Sequence, residues 1–398
     1  MNSSFARPVD RRFLLAIGLL ALLAMVAVAM LAAPARSQAA GNSKVSVMTR
    51  NVYLGADLSP GIAAQNFNEL KDAAGTILNQ VDQNNFPVRA KGLAKEILQK
   101  RPALVGLQEA ALWRTAPCGS PFIPPQATTV RYDYIQLLLN QLNRTGPNYR
   151  LVVSQPEFDF ESPANTDHSP DHSCDINARL TMQDAILARD GSDVATRNPG
   201  AGHFDTLLQE PVSGVPVDVT RGWTKVDAKV GGSGWFRFVD THLEAFDNQT
   251  SNHTNQNTDV GNGQVRLAQA QELVAPGGPA RSQLPVVLVG DLNSEPTDAA
   301  GAYGILTGAV GLEDAWVDVH GPAGGNTSGQ TDDLNLPESQ IDHRIDYVLY
   351  QPGALDAVAA DVVGDQQADR TPPLPGAPFG LWPSDHAGVV ATLHLARP

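Results

Sequence analysis

The chain has 398 residues but only two cysteines, Cys118 and Cys174. Neither has the neighbours of a nucleophile or a zinc ligand, which argues against thiol catalysis. In an exported protein such a pair is readily a disulfide. Basic charge is also scarce: 28 Lys and Arg stand against 42 Asp and Glu, a net charge of −14. Tight, non-specific DNA binding is built on Lys and Arg and is not expected. A nuclease that meets its substrate briefly, through a metal, stays compatible with this charge. Beyond the first forty residues no apolar run is long enough to span a bilayer. There is no internal repeat and no linker dividing the chain. No Gly-x-Ser-x-Gly elbow, P-loop or His-Glu-x-x-His motif points to another chemistry.

The N-terminal segment is set apart. Arg7, Arg11 and Arg12 precede an uncharged stretch from Phe13 to Ala33, and Ser37-Gln38-Ala39 offers a small-x-small cleavage site. Residues 1–39 are expected to be a secretory signal peptide, with an uncleaved membrane anchor as the alternative. Arg11-Arg12 before Phe13-Leu14 also hints at a twin-arginine signal. Either way the folded part, residues 41–398, is expected to be a single extracytoplasmic domain. Losing residues 1–39 removes four Arg and one Asp and leaves a net charge of −17.

The remaining sequence alternates strand-like and helix-like segments. Lys44 to Asn51, Ala103 to Gln108, Arg150 to Ser154, Asp184 to Ala188, Phe204 to Gln209, Leu284 to Val289, Ile345 to Tyr350 and Gly388 to Leu395 read as strands. Thr224 to Val230 and Trp235 to Asp240 flank Gly231-Gly232-Ser233-Gly234, a hairpin signal. Asn66 to Gln80, Val88 to Lys100, Tyr132 to Asn143 and Gln264 to Val274 have helical spacing. Ala116 to Asp175, Asp247 to Gly263 and Gly364 to Pro383 are expected to be surface insertions, rich in Pro, Gly, Asp or Asn. The pattern predicts an α/β fold with mixed sheets.

Six segments end an apolar run with residues suited to phosphate chemistry. These are MTRNV (Asn51), LVGLQEA (Gln108, Glu109), VDTHLEAF (His242), VVLVGDLNSEP (Asp291, Asn293), RIDYVLY (Asp346) and PSDHAGVV (Asp385, His386). Carboxylates bind hard cations, a His with a carboxylate partner moves protons near neutral pH, and amides donate to phosphate oxygens. In an extended segment Asp291 and Asn293 would point to one side. Arg344 could meet a phosphate or be structural, and Asp184, Tyr53 and Asp57 are further polar candidates.

This ordered set, from Asn51 to His386, resembles the endonuclease/exonuclease/phosphatase superfamily. That superfamily includes pancreatic-type deoxyribonucleases, AP endonucleases, bacterial sphingomyelinases and inositol-polyphosphate 5-phosphatases. The resemblance implies a four-layer α/β/β/α sandwich of two mixed β-sheets with outer helices. It also implies a Mg²⁺ or Mn²⁺ cofactor bound by Glu109, with Asn51 beside it and Asp385 as a second contact. Asp291 would polarise the attacking water and Asn293 would donate to the phosphate. Asp346 would orient His386, which would itself activate the water or stabilise the charged phosphorane-like state, so that either Asp291 or His386 could be the base. His242 would contact the phosphate and could protonate the leaving group.

The expected substrate is a phosphodiester: nucleic acid or nucleotide first, a phospholipid headgroup next, a phosphomonoester third. Phe379 and Trp382, just before Ser384-Asp385-His386, could dip into a lipid interface, stack on a nucleobase, or pin their own loop. Any membrane contact is expected to be transient, and the protein monomeric. A non-catalytic binding module on the same fold is the reading from another class, but it has no need of all these residues together.

Overall fold

Runs of Val, Ile, Leu and Ala build two β-sheets in the computed structural model, which describes residues 43–120, 122–246 and 263–395. The expected signal peptide or anchor, and all but the last residue of the Asp247–Gly263 insertion, lie outside the described residues. Among the described residues no helix is long and apolar enough to cross a membrane.

In chain order the strands are β1 (Ser43–Asn51), β2 (Leu104–Gln108), β3 (Leu112–Pro117), β4 (Thr129–Asp133), β5 (Tyr149–Ala164) and β6 (Ile176–Arg189). Next come β7 (Val194–His203), β8 (Leu208–Val212), β9 (Val215–Val219), β10 (Gly222–Val230), β11 (Phe236–His242) and β12 (Val286–Asp291). The last four are β13 (Glu313–Asp314), β14 (Asp346–Tyr350), β15 (Leu355–Val363) and β16 (Gly388–Leu395). One sheet runs β15-β16-β1-β2-β6-β3-β4, with β5 also on β6; the other runs β13-β14-β12-β11-β10-β7. Both are mixed: β1 is parallel to β2 and antiparallel to β16, and β12 is parallel to β11 and antiparallel to β14. Strands β8 and β9 form a separate hairpin.

Three apolar layers hold the sandwich. Between the sheets, Val47, Leu104 and Ile186 pack with Phe236, Phe238 and Val287. Helices α1 (Ser59–Ala63), α2 (Phe67–Gln83), α3 (Phe86–Lys100) and α4 (Tyr134–Leu142) precede α5 (Gln264–Val274) along the chain. From α2, α3 and α4, Leu78, Leu93 and Leu138 cover the outer face of the first sheet at Val105 and Leu187. Leu273 of α5 covers the second sheet at Val239 and Leu288. This is the four-layer α/β/β/α arrangement. Side-chain oxygens shape it too: Asn66 caps α2 by accepting from the amides of Asn68 and Glu69.

Two glycines let backbones approach. A Cβ on Gly106 in β2 would lie 2.4 Å from Asp240 Oδ1 across the sandwich. One on Gly290, where φ is +147°, would lie 2.0 Å from the carbonyl oxygen of Thr241 in β11.

The Ala116–Asp175 segment is not a loop insertion. It contains β4, α4 and β5, and the long β5–β6 pair carries the disulfide Cys118–Cys174 beside it. Its prolines are tolerated because β5 pairs only with β6, and an edge strand does not need every N–H. The strand expected to begin at Asp184 therefore begins at Ile176. The one expected over Phe204–Gln209 is β8, starting at Leu208.

Candidate active site

Strand register alone sets out half of the site. His242 pairs with Asp291 across β11 and β12, and Asp291 pairs with Asp346 across β12 and β14. The three stand in a row at one end of the second sheet. Facing them, Asn51 ends β1 beside Gln108 of β2, and Glu109 follows at φ +56°. This left-handed turn breaks the strand's alternation. Gln108 is buried, bonding Thr49 and Asp240, while Glu109 reaches the cleft.

Asp291 is the hub. Its Oδ2 accepts from Asn51 Nδ2 at 3.1 Å and lies 3.6 Å from His242 Nε2 and 3.8 Å from His386 Nε2. His386 Nδ1 is 2.8 Å from Asp346 Oδ2, so Asp346 fixes which nitrogen faces the cleft. Ser328 Oγ, absent from the sequence motifs, lies 3.5 Å from His386 Nε2. Burial opposes charging of His386. The carboxylates of Asp346, Asp385 and Asp291 outweigh it and raise the imidazole well above its usual range. Asp291 is pushed up to about 7, by burial first and by Asp346 next, with His386 acting in the opposite direction.

Asn293 does not continue the strand. It sits at φ +47°, its backbone N–H bonds Asp291 Oδ1 at 2.9 Å, and its side-chain nitrogen donates to the carbonyl of Leu243 at 2.9 Å. Asp291 and Asn293 share the cleft through a side-chain-capped turn, not through strand alternation. One N–H of the Asn293 amide remains for a ligand.

His242 has a neighbour that no motif revealed. Arg221 Nη1 lies 3.1 Å from His242 Nδ1, and Arg221 pairs with Glu244 at 3.4 Å. Burial, Arg221 and His386 together hold His242 well below the usual imidazole range. With Arg221 donating to Nδ1, His242 is a neutral ring with its hydrogen on Nε2. That suits donation to a phosphate oxygen. Glu157 and Asp184 lie beside it, buried, with no hydrogen-bond partner on either carboxylate. Burial pushes Asp184 up to about 8 and, with Asp184 added, lifts Glu157 as well.

The donor set fits a hard divalent cation. Glu109, half-buried, opens on the cleft with Asp385. Asp385 is pushed up to about 7, chiefly by burial. His386 opposes the rise, while Glu109 and Asp332 crowd the same space with like charge. Asn51 turns its amide nitrogen, not its oxygen, toward Glu109 at 3.2 Å, so it orients the ligand carboxylates. Its oxygen accepts from the Tyr53 amide.

Other candidates fall away. Arg344 is buried and pairs with Asp314 at 2.6 Å, a structural role. Trp382 is fully buried and donates to the carbonyl of Leu336, so it is no interfacial anchor; Phe379 is exposed under Arg370. Asp57 lines the cleft and its carboxylate accepts from the Ser59 amide.

The fold occurs in known proteins. The sequence model of the Endonuclease/Exonuclease/phosphatase family matches residues 67–386. A family protein from Bacteroides thetaiotaomicron superimposes with a TM-score of 0.53 at 15% identity, covering 89% of this chain and 98% of that one. The mannosyl-6-phosphatase Bt3783 from the same organism gives 0.51 at 16% identity, covering 88% and 99%. No curated protein sequence matches the chain. The match over residues 67–386, on a four-layer sandwich of this topology, shows that the chain belongs to the endonuclease/exonuclease/phosphatase family.

Proposed function

We propose that this phosphoric ester hydrolase is an extracytoplasmic phosphodiesterase that needs a divalent cation and uses water as nucleophile. The observation that carries the reading is the convergence of Asn51, His242 and His386 on one carboxylate, Asp291, beside Glu109. Glu109, oriented by Asn51, and Asp385 would hold Mg²⁺ or Mn²⁺, which when bound neutralises phosphate charge. Asp291 takes the proton of the attacking water. His386, charged and held by Asp346, donates from Nε2 to the phosphate as negative charge builds on it. His242 and Asn293 donate to the remaining oxygens.

A diester carries one negative charge where a monoester carries up to two, which suits a cleft lined by Glu109, Asp291, Asp332 and Asp385. Arg221, paired with Glu244, is the sole Lys or Arg lining that cleft among the described residues. A long nucleic acid would find no basic track there, so small diesters are favoured over polymers. The basic-then-apolar N-terminal sequence and the disulfide both support a location outside the cytoplasm.

Bis-p-nitrophenyl phosphate hydrolysis in Mg²⁺ or Mn²⁺, with and without EDTA, tests this beside His386→Ala. Cleavage lost in EDTA and lowered by about 10²–10⁴-fold in the variant is expected. Cleavage that persists in both would sink the proposal.

A further inference from the structure

The cleft does not end at the catalytic groups. It continues as one cavity of about 790 Å³, within the roughly 300–1,000 Å³ range of small-molecule sites. At one end stand Glu109, His242, Asp291, Asn293, Asp385 and His386. The other end is a different chemical environment. Its walls are Leu70 and Ile77 from α2, Phe158 from β5, Leu180 from β6, and Val219 from β9. Helix α1 and the β8–β9 hairpin close its sides, and Asp57 and Glu210 contribute polar lining.

These walls come from separate parts of the fold. Leu180, Leu70 and Ile77 are each less than a tenth exposed and still line the cavity. Apolar walls around unfilled space forgo the dispersion contacts that a packed core would make. The folded chain gains nothing from leaving this wing open. An apolar ligand group entering it gains both burial and contact. Continuity with the catalytic end settles where that group sits: it is attached to the phosphate being attacked.

Building on the phosphodiesterase reading above, we propose that this wing binds a single hydrocarbon chain carried by the phosphoester substrate, which makes the substrate an amphiphile. The phosphate lies against Asp291 and His386 while the chain runs between α2 and the β5–β6 and β8–β9 pairs. Val217 and Val219 on β9, half-buried, line the wing from the hairpin side.

The test uses methyl, butyl and octyl p-nitrophenyl phosphates below their micellar concentrations, with Mg²⁺. In parallel, equilibrium binding of methyl and octyl phosphate is measured by calorimetry. KM is expected to fall by at least about a hundredfold from methyl to octyl, since each buried methylene is worth up to about fourfold. Octyl phosphate is expected to bind tighter than methyl phosphate in the same proportion. Val217→Trp, which fills the wing, should erase this dependence; Val219→Lys is the second variant should the first not fold. Equal KM values and equal binding along the series would overturn the apolar site while leaving the phosphodiesterase intact. Tight octyl phosphate binding with no ester cleaved would reject the phosphodiesterase and keep the site. The octyl ester offered free or in phosphatidylcholine vesicles separates a soluble amphiphile from a membrane lipid. Loss of the octyl preference in both forms counts against the proposal.

Discussion

At the scale of single residues, the unpaired carboxyls of Glu157 and Asp184 make a pH-dependent demand on the fold. Burial pushes the folded Asp184 carboxyl up to about 8, against near 4 for an ordinary Asp in the unfolded chain. Between those values the native state holds the extra proton, so this group's stabilisation is full below about pH 4 and is lost as pH rises toward 8. Melting temperatures in EDTA should therefore decline from pH 5 to pH 8, and Asp184→Asn should flatten the slope; an unchanged slope would refute this origin. Asp346→Asn should lower turnover by about 10²-fold or more with little change in melting temperature, because the imidazole loses its orientation and not its packing. Equal loss of both would mean that the pair is structural. Asn51, Glu109, His242, Asp291, Asp346, Asp385 and His386 were legible because each closes or opens an apolar run. Arg221, Glu157 and Ser328 were not. They reach the site from other elements, and a contact made through space leaves no local spacing to read.

Elements raise a different question, that of how their edges and turns are held. The disulfide joins residues 56 apart and ties β3 to the approach to β6. Cys174→Ser is expected to cost about 2–4 kcal/mol in denaturant unfolding with turnover preserved, because it frees the unfolded chain and leaves the catalytic end untouched. A turnover loss matching the stability loss would contradict that separation. Gly290→Ala should cost more than about 1 kcal/mol, since the added Cβ meets the Thr241 carbonyl at a φ that only glycine adopts without strain. An unchanged unfolding midpoint would count against it. The buried strands β1, β2, β12, β14 and β16 could be read from their apolar runs, as could helix α5. Only the first part of β5, Arg150 to Ser154, could be read; the rest could not, because edge pairing tolerates the prolines that spoke for a loop. The β8–β9 hairpin was missed although Ser213-Gly214, both at positive φ, is a two-residue turn signal between alternating residues.

For the whole molecule the four layers followed from the motifs, not from the alternation of elements, which fits many α/β folds. Binding of a cation to the native state alone stabilises it by mass action, by about 2.7 kcal/mol at one hundred times the dissociation constant. Mg²⁺ or Mn²⁺ should therefore raise the melting temperature, and Glu109→Gln should remove most of that rise; a rise that survives the substitution would place the cation elsewhere. The connectivity adds a temporal consequence. Strand β16 lies between β15 and β1, and Arg50, at the end of β1, donates to the carbonyl of His386 while pairing with Glu96. The ribosome makes Asn51 among the earliest of the described residues and His386 among the last. A growing chain therefore lacks Asp385 and His386 until the last of the described strands is being made. The row of catalytic candidates is complete only once β16, the last of the described strands, lies beside β1.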